Sequence, residues 1–479
     1  MGDAARVLLP GFEGPVLPAW LAARLRNGLA GVCIFGSNVE SREQLRELTD
    51  AIREANPDSL IAIDEEGGDV TRLYYDQGSP YPGNALLGRI DDEELTTRVA
   101  ETVGWQLRDV GINLDFAPDV DVNSNPDNPV IGVRSFGTDP ELVARHSAAW
   151  VRGLQSTSVA VSAKHFPGHG DTALDSHLAL PVIDLPLDEL QERELLPFRA
   201  AVAAGARTIM TSHILLPQLD AHNPATFSRG ILEDLLRRDF GFGGVIVSDA
   251  LDMIGASGEI GIAAAAVRAI DAGCDLLCIG TDNTDEELAA IEDALDAAVR
   301  GGELDAARLA QAAGRNVALA RELAAAAPAA TPEEPTFDVD RTIAAFSIID
   351  GVRVTSDRTL VALDSIANIA VGEAPWGPPI ATRVAEGETL PASPGQLILV
   401  GKDNHRRPWA RQLVDEARSS GRDVLVVDMG WPSDDRAYAD VATFGASRHV
   451  GAALLAWLDR QSTAPGTTAP GSTAPGETP

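Results

Sequence analysis

The chain has 479 residues, 45% hydrophobic and 23% charged, a composition that excludes a wholly disordered polymer. With 38 basic against 71 acidic residues its net charge is −33, which repels nucleic acid and anionic membranes and excludes both as general partners. Whatever anion the protein handles must meet a local cluster of Arg and Lys.

No apolar run approaches the ~18 to 20 residues that cross a bilayer. The start, Met1-Gly2-Asp3-Ala4-Ala5-Arg6, lacks a charged stretch followed by an apolar one. Cys33, Cys274 and Cys278 fit a reducing compartment and cannot make a disulfide framework. A cytoplasmic address is therefore expected.

From the N-terminus, strands are predicted at 6–12, 31–36, 60–66, 112–120, 159–165, 206–213, 244–249 and 275–280. Their cores are nearly continuous hydrophobics, as in strands buried on both faces of a parallel sheet. Helical patterns lie between them, for example at 41–55, 91–110 and 141–156. Eight such units over residues 1–325 predict an α/β fold, a (β/α)8 TIM-type barrel, with a doubly wound open sheet as its rival. Residues 326–340 read as a Pro-rich linker. Residues 341–461, with strands at 359–363, 397–400 and 424–427 and a helix at 408–419, predict a smaller α/β domain. Residues 462–479 repeat Thr-Ala-Pro-Gly and predict a disordered tail.

Polar residues gather where the predicted barrel strands end: Asp64-Glu65-Glu66, Asp115 to Asp121, Lys164-His165, Ser212-His213 and Ser248-Asp249. In a barrel these ends form one rim. The densest stretch is Lys164-His165-Phe166-Pro167-Gly168-His169-Gly170-Asp171-Thr172, continuing to Asp175-Ser176-His177. Three readings stand side by side. His165, His169 and His177 could ligate a metal; Lys164 could be a Schiff-base lysine; Asp175 and His177 could form an acid/base dyad, with Asp175 setting the imidazole tautomer. Asp249 could be a nucleophile, a ligand or a helix cap. In Ile63-Asp64-Glu65-Glu66-Gly67-Gly68-Asp69-Val70-Thr71-Arg72, paired glycines allow close backbone approach, but no Gly-Lys-Ser/Thr follows to make a phosphate loop. Arg72 and Arg134 are donors for a carbonyl, carboxylate or phosphate. Phe166 and Phe136 are the predicted aromatic lining, Trp105 and Trp150 the predicted shell. Cys274 and Cys278 read as small buried hydrophobes.

Taken together, the Asp-Glu-Glu-Gly-Gly stretch, residues 113–121 (Asn-Leu-Asp-Phe-Ala-Pro-Asp-Val-Asp), the 164–172 loop and Ser-Asp-Ala-Leu-Asp-Met resemble glycoside hydrolase family 3, in its bacterial β-N-acetylglucosaminidase branch. The resemblance spans residues 1–325 and rests chiefly on the long loop. It implies a retaining enzyme with Asp249 as nucleophile, His177 as acid/base assisted by Asp175, and Asp64, Arg72, Arg134, Lys164 and His165 binding the sugar. It implies no cofactor and no metal; the partner is a small GlcNAc-containing saccharide, from cell-wall muropeptides or chito-oligosaccharides. Phosphate in place of water as acceptor, and a β-glucosidase of the same family, are the alternatives. A non-catalytic sugar-binding barrel and a metal-dependent hydrolase are the readings from other classes. Glu65, Asp69 and Thr71 depart from the residues commoner in this motif, Glu65 being expected to add charge near the sugar. The smaller domain also resembles the α/β sandwich that often follows the barrel in this family, and a mainly structural role is expected of it.

Overall fold

The computed structural model describes residues 2–172, 180–258, 260–326, 337–364, 371–372, 375–393 and 395–463. Eight parallel strands form the first sheet: β1 (Leu8–Pro10), β2 (Gly31–Ile34), β3 (Leu60–Ile63), β4 (Leu114–Asp115), β5 (Ala160–Phe166), β6 (Thr208–Thr211), β7 (Val245–Ser248) and β8 (Leu276–Gly280). Neighbours follow in sequence order from β2 to β8, and β1 then pairs with β8. Between β1 and β2 the Ala30 N–H reaches the Ala5 carbonyl at 3.1 Å, so the sheet is a nearly closed barrel and not the open alternative.

Apolar side chains fill both strand faces, and alternate residues go opposite ways. Leu60 and Ala62 of β3, Val245 and Val247 of β7, and Leu276 and Cys278 of β8 share the barrel's interior core. Ile61, Ile63, Ile246, Leu277 and Ile279 pack outward against the helices. Helix Arg42–Ala55 starts at Ser41, whose side chain accepts from the Gln44 N–H. The helix predicted over 91–110 is Glu93–Asp109, which Asp92 caps by accepting from Leu95 N–H; a separate short helix, Asn84–Ile90, precedes it and ends where Asp91 turns left-handed (φ 51°). The fourth strand is far shorter than predicted. Pro118 has no N–H to donate, so past Asp115 the contact with β5 continues irregularly through Ser162 N–H to Ala117 O at 3.1 Å and Lys164 N–H to Pro118 O at 3.1 Å.

The second sheet has six strands: β9 (Ser347–Ile348), β10 (Arg358–Leu363), β11 (Arg383–Val384), β12 (Gln396–Gly401), β13 (Val424–Asp428) and β14 (Val441–Ala442). Their order is β11-β10-β12-β13-β14-β9, parallel except for the β14–β9 pair. Helix Pro408–Ser419 covers one face and helix Arg448–Thr463 the other. Within the predicted linker, residues 327–336 lie outside the described residues, whereas Phe337 packs on Tyr81 and His449 with ring centroids 5.8 and 5.0 Å away. The predicted tail from residue 464 onward also lies outside them. Among the described residues, no helix is long and apolar enough to cross a membrane.

At the N-terminal end of the barrel strands, the buried Asp275 carboxylate takes Arg237, Arg308 (2.8 Å), Arg315 (2.9 Å) and the Ile246 N–H (3.0 Å). Removing it strands several cations at once. Asp275→Ala is expected to lower the unfolding free energy by about 3–5 kcal/mol, read by urea denaturation; a loss below about 1 kcal/mol would show the cluster to be dispensable.

Candidate active site

The strand alternation decides what faces the barrel's C-terminal mouth. With Leu60 and Ala62 inward, Asp64 follows inward; with Val245 and Val247 inward, Asp249 does too; and from Ala160, Lys164 shares the inward face. All three line a cavity of about 290 Å³, with Glu66, Val70, Arg72, Phe116, Arg134, His165, His169 and Met210 among the other walls.

Lys164 is the hub. Its ammonium, 3% exposed, lies 2.6 Å from Asp64 and 2.8 Å from Glu66. Burial alone would drive it neutral, but these two carboxylates outweigh burial and hold its pKa above the ordinary lysine value. An amine kept charged is no Schiff-base nucleophile, and that reading falls. Glu66 in turn takes Arg134 in a two-pronged grip, Nε to Oε2 at 3.0 Å and Nη2 to Oε1 at 2.8 Å. Against the cost of burial, Arg134 and Lys164 keep Glu66 ionised well below the usual carboxylate range.

His165 is oriented from behind. Its Nδ1 meets Asp121 Oδ2 at 2.7 Å, and its Nε2 lies 3.4 Å from Arg134 Nη2. The Asp119, Asp121 and His165 donor atoms lie within 4.8 Å of one another, spacing that could suit a metal. Arg134, 3.5 Å from Asp119 and against His165 Nε2, already supplies the positive charge there. Among the described residues His169 does not join that set, and its Nδ1 lies 2.7 Å from Thr172 Oγ1. Asp171 pairs with Arg193 at 2.8 Å, whereas His169 lines the cavity. Burial, then the neighbouring His165, lower its imidazole pKa to about 4, so it is neutral near pH 7. Asn128 fixes this loop by donating to the carbonyls of His169 (2.8 Å) and Gly170 (3.0 Å). A Cβ on Gly170 would lie 1.6 Å from the Val122 carbonyl oxygen, so only glycine fits.

Asp249 follows β7 at the opposite wall, accepting the Ala250 N–H at 2.8 Å. Arg72 donates from Nη1 to the Val371 carbonyl at 3.1 Å. Asp175 and His177 lie outside the described residues.

Three expectations need correction. Phe166 is buried against Phe198 and Phe240, with centroids at 5.2 and 5.9 Å, and does not line the cavity; a register irregularity between Ala163 and Phe166 turns it outward. Phe136 stacks on His146 at 5.4 Å in the helix layer beside the buried Trp150. Phe35 and Phe116 are the aromatic lining instead. Strand alternation from Leu114 finds Phe116, as it finds Cys278 from Leu276. Glu65 does not face the cavity. It is buried beneath the loop, where Oε2 accepts from Thr71 Oγ1 (2.9 Å), Arg72 N–H (2.8 Å) and Leu73 N–H (2.9 Å).

The chain's residues 20–319 match the family model for the glycosyl hydrolase family 3 N-terminal domain. The chain belongs to glycosyl hydrolase family 3, and it is a glycoside hydrolase. It is 37% identical over 298 residues to a beta-hexosaminidase of Stenotrophomonas maltophilia strain K279a, covering 60% of this chain and 87% of that one. It is 39% identical over 272 residues to beta-hexosaminidase A of Pseudoalteromonas piscicida, spanning 52% of this chain but 46% of that longer protein. Among solved structures, the family 3 beta-N-acetylglucosaminidase of Paenibacillus sp. str. FPU-7 superposes with a TM-score of 0.84 at 30% identity, covering 96% of both chains.

Burial pushes the Glu65 carboxyl up from 4.5 to about 7, against three donors pulling it down. The folded state then keeps a proton the unfolded chain has lost, so this group's contribution to stability falls as pH rises from about 4.5 through about 7. Glu65→Gln is expected to flatten that fall by at least about 1 kcal/mol between about pH 5 and about pH 8 in thermal or urea melts. Parallel pH profiles for the two proteins would contradict it.

Proposed function

We infer that this chain is an exo-acting, retaining β-N-acetylglucosaminidase that releases terminal GlcNAc from cell-wall muropeptides or chito-oligosaccharides. The observation that carries this reading is Asp249 facing the Lys164–Asp64–Glu66–Arg134–His165 cluster across a single cavity. At about 290 Å³, near the ~300 Å³ lower end of small-molecule pockets, that space suits one sugar ring better than a continuous chain. The beta-hexosaminidase relatives and the Paenibacillus beta-N-acetylglucosaminidase support the choice of sugar.

In this reading Asp64, Arg72, Arg134, Lys164 and His165 hold the terminal residue. Charged donors and acceptors fixed in place before substrate arrives lose little in reorganisation. The Asp249 carboxylate attacks the anomeric carbon as the bond to the leaving oxygen breaks, and His177 gives that oxygen its proton. A glycosyl ester on Asp249 remains, with His177 now neutral. His177 then takes a proton from water, the water oxygen attacks the anomeric carbon, and the ester bond breaks to return the Asp249 carboxylate. Asp175 orients the imidazole, whose unperturbed pKa of ~6.5 suits both proton transfers near neutrality.

The test is incubation with 4-nitrophenyl β-N-acetylglucosaminide, with and without inorganic phosphate, and identification of the sugar released. Free GlcNAc in both is expected. GlcNAc-1-phosphate would replace water by phosphate as acceptor, and no turnover would remove the reading. Asp249→Asn is expected to lower kcat at least about 1,000-fold while GlcNAc binding by calorimetry persists. Retained turnover would contradict the assignment of the nucleophile.

A further inference from the structure

The loop between β3 and helix Asn84–Ile90 carries two walls of the cavity, Val70 and Arg72. From inside the barrel it is held by Glu65, described above, and by the Glu66 N–H to Val70 O bond at 3.1 Å. Its backbone has little room to shift. Gly67 (φ +72°) is packed so that a Cβ would meet Trp150 at 2.8 Å, and one on Gly68 would meet the Gly83 Cα at 2.6 Å.

Asp69, between these glycines and Val70, points the other way. Its Oδ2 pairs with the Lys402 ammonium and its Oδ1 accepts the Ala446 N–H at 2.8 Å. Lys402 directly follows β12 and Ala446 follows β14, so both partners belong to the second sheet. The two side chains are 4% and 13% exposed, too buried for solvent to screen the pair as it screens a surface bridge. Three residues on, Arg72 reaches the same body through the Val371 carbonyl.

We propose that Asp69 and Lys402 are a positioning pair through which the second sheet, contributing no side chain to the cavity lining among the described residues, fixes Val70 and Arg72 for sugar binding. The inference rests on the sugar-binding reading of that cavity. An acid next to the cavity wall is neutralised from the other sheet. Without the ammonium, a buried carboxylate keeps one backbone donor, and the loop relaxes to re-solvate it. The consequence falls on substrate binding, since neither residue reaches the reacting atoms.

The experiment measures KM and kcat of Asp69→Asn, Lys402→Met, the double variant and Lys402→Arg on 4-nitrophenyl β-glycosides of GlcNAc, glucose and xylose. Asp69→Asn and Lys402→Met are expected each to raise KM about tenfold with kcat within about threefold of the parent. The double variant should be no worse than either single one, and Lys402→Arg should stay within about twofold. Melting curves identify any variant that does not fold, and Lys402→Met carries the test should Asp69→Asn be one. KM within about twofold of the parent in a folded Lys402→Met, or single effects that multiply in the double variant, overturns the proposal. Turnover of a glucoside or xyloside but not the GlcNAc glycoside would remove the GlcNAc reading, while the same KM comparison still decides the pair.

Discussion

A buried ammonium held between two carboxylates organises this molecule's mouth. Lys164, from β5, draws in Asp64 and Glu66 from the end of β3, and Glu66 draws in Arg134 from a loop distant in sequence. Each charge is tolerated away from water because the next one pays its desolvation. The arrangement is therefore collective: losing one member leaves another buried and unpaired. The same network presents a rigid set of charged donors and acceptors to one side of the cavity, with Asp249 on the other.

Much of this was legible in the sequence, for a physical reason. Strands buried on both faces read as continuous hydrophobic runs, and the polar residues that end them must then be at the rim. The two-residue alternation inside the barrel carries Asp64, Phe116, Lys164, Asp249 and Cys278 to one space without reference to any relative. What was not legible depends on departures from that regularity. Phe166 falls past an irregular register with β6, so counting by twos sends it to the wrong face. Glu65 looks from composition like one more rim carboxylate, yet three donors within the following eight residues turn it beneath the loop. Helix Asn84–Ile90, just ahead of the predicted one, ends on a single left-handed residue, Asp91, which hydrophobic periodicity does not register.

The second sheet was readable as an α/β layer from its strands and from helix Pro408–Ser419, but its bearing on the cavity was not. Neither Lys402 nor Ala446 belongs to any motif in its own segment; their importance comes from Asp69, more than 300 residues earlier. Contacts of that separation are set by how two bodies dock. Leu86, from the barrel's side, joins the core of Ile398, Val427 and Leu454, so the docking is apolar in its interior and ionic next to the cavity loop.

In the proposed reaction the sugar is held by the Lys164 network with its anomeric carbon at Asp249. A fluorinated N-acetylglucosaminyl fluoride that forms the glycosyl ester quickly and loses it slowly tests this most directly, with peptide mass spectrometry of the labelled protein. One sugar per chain is expected, carried on the peptide containing Asp249. A label on any other carboxylate, or continued turnover with no covalent sugar, would contradict it.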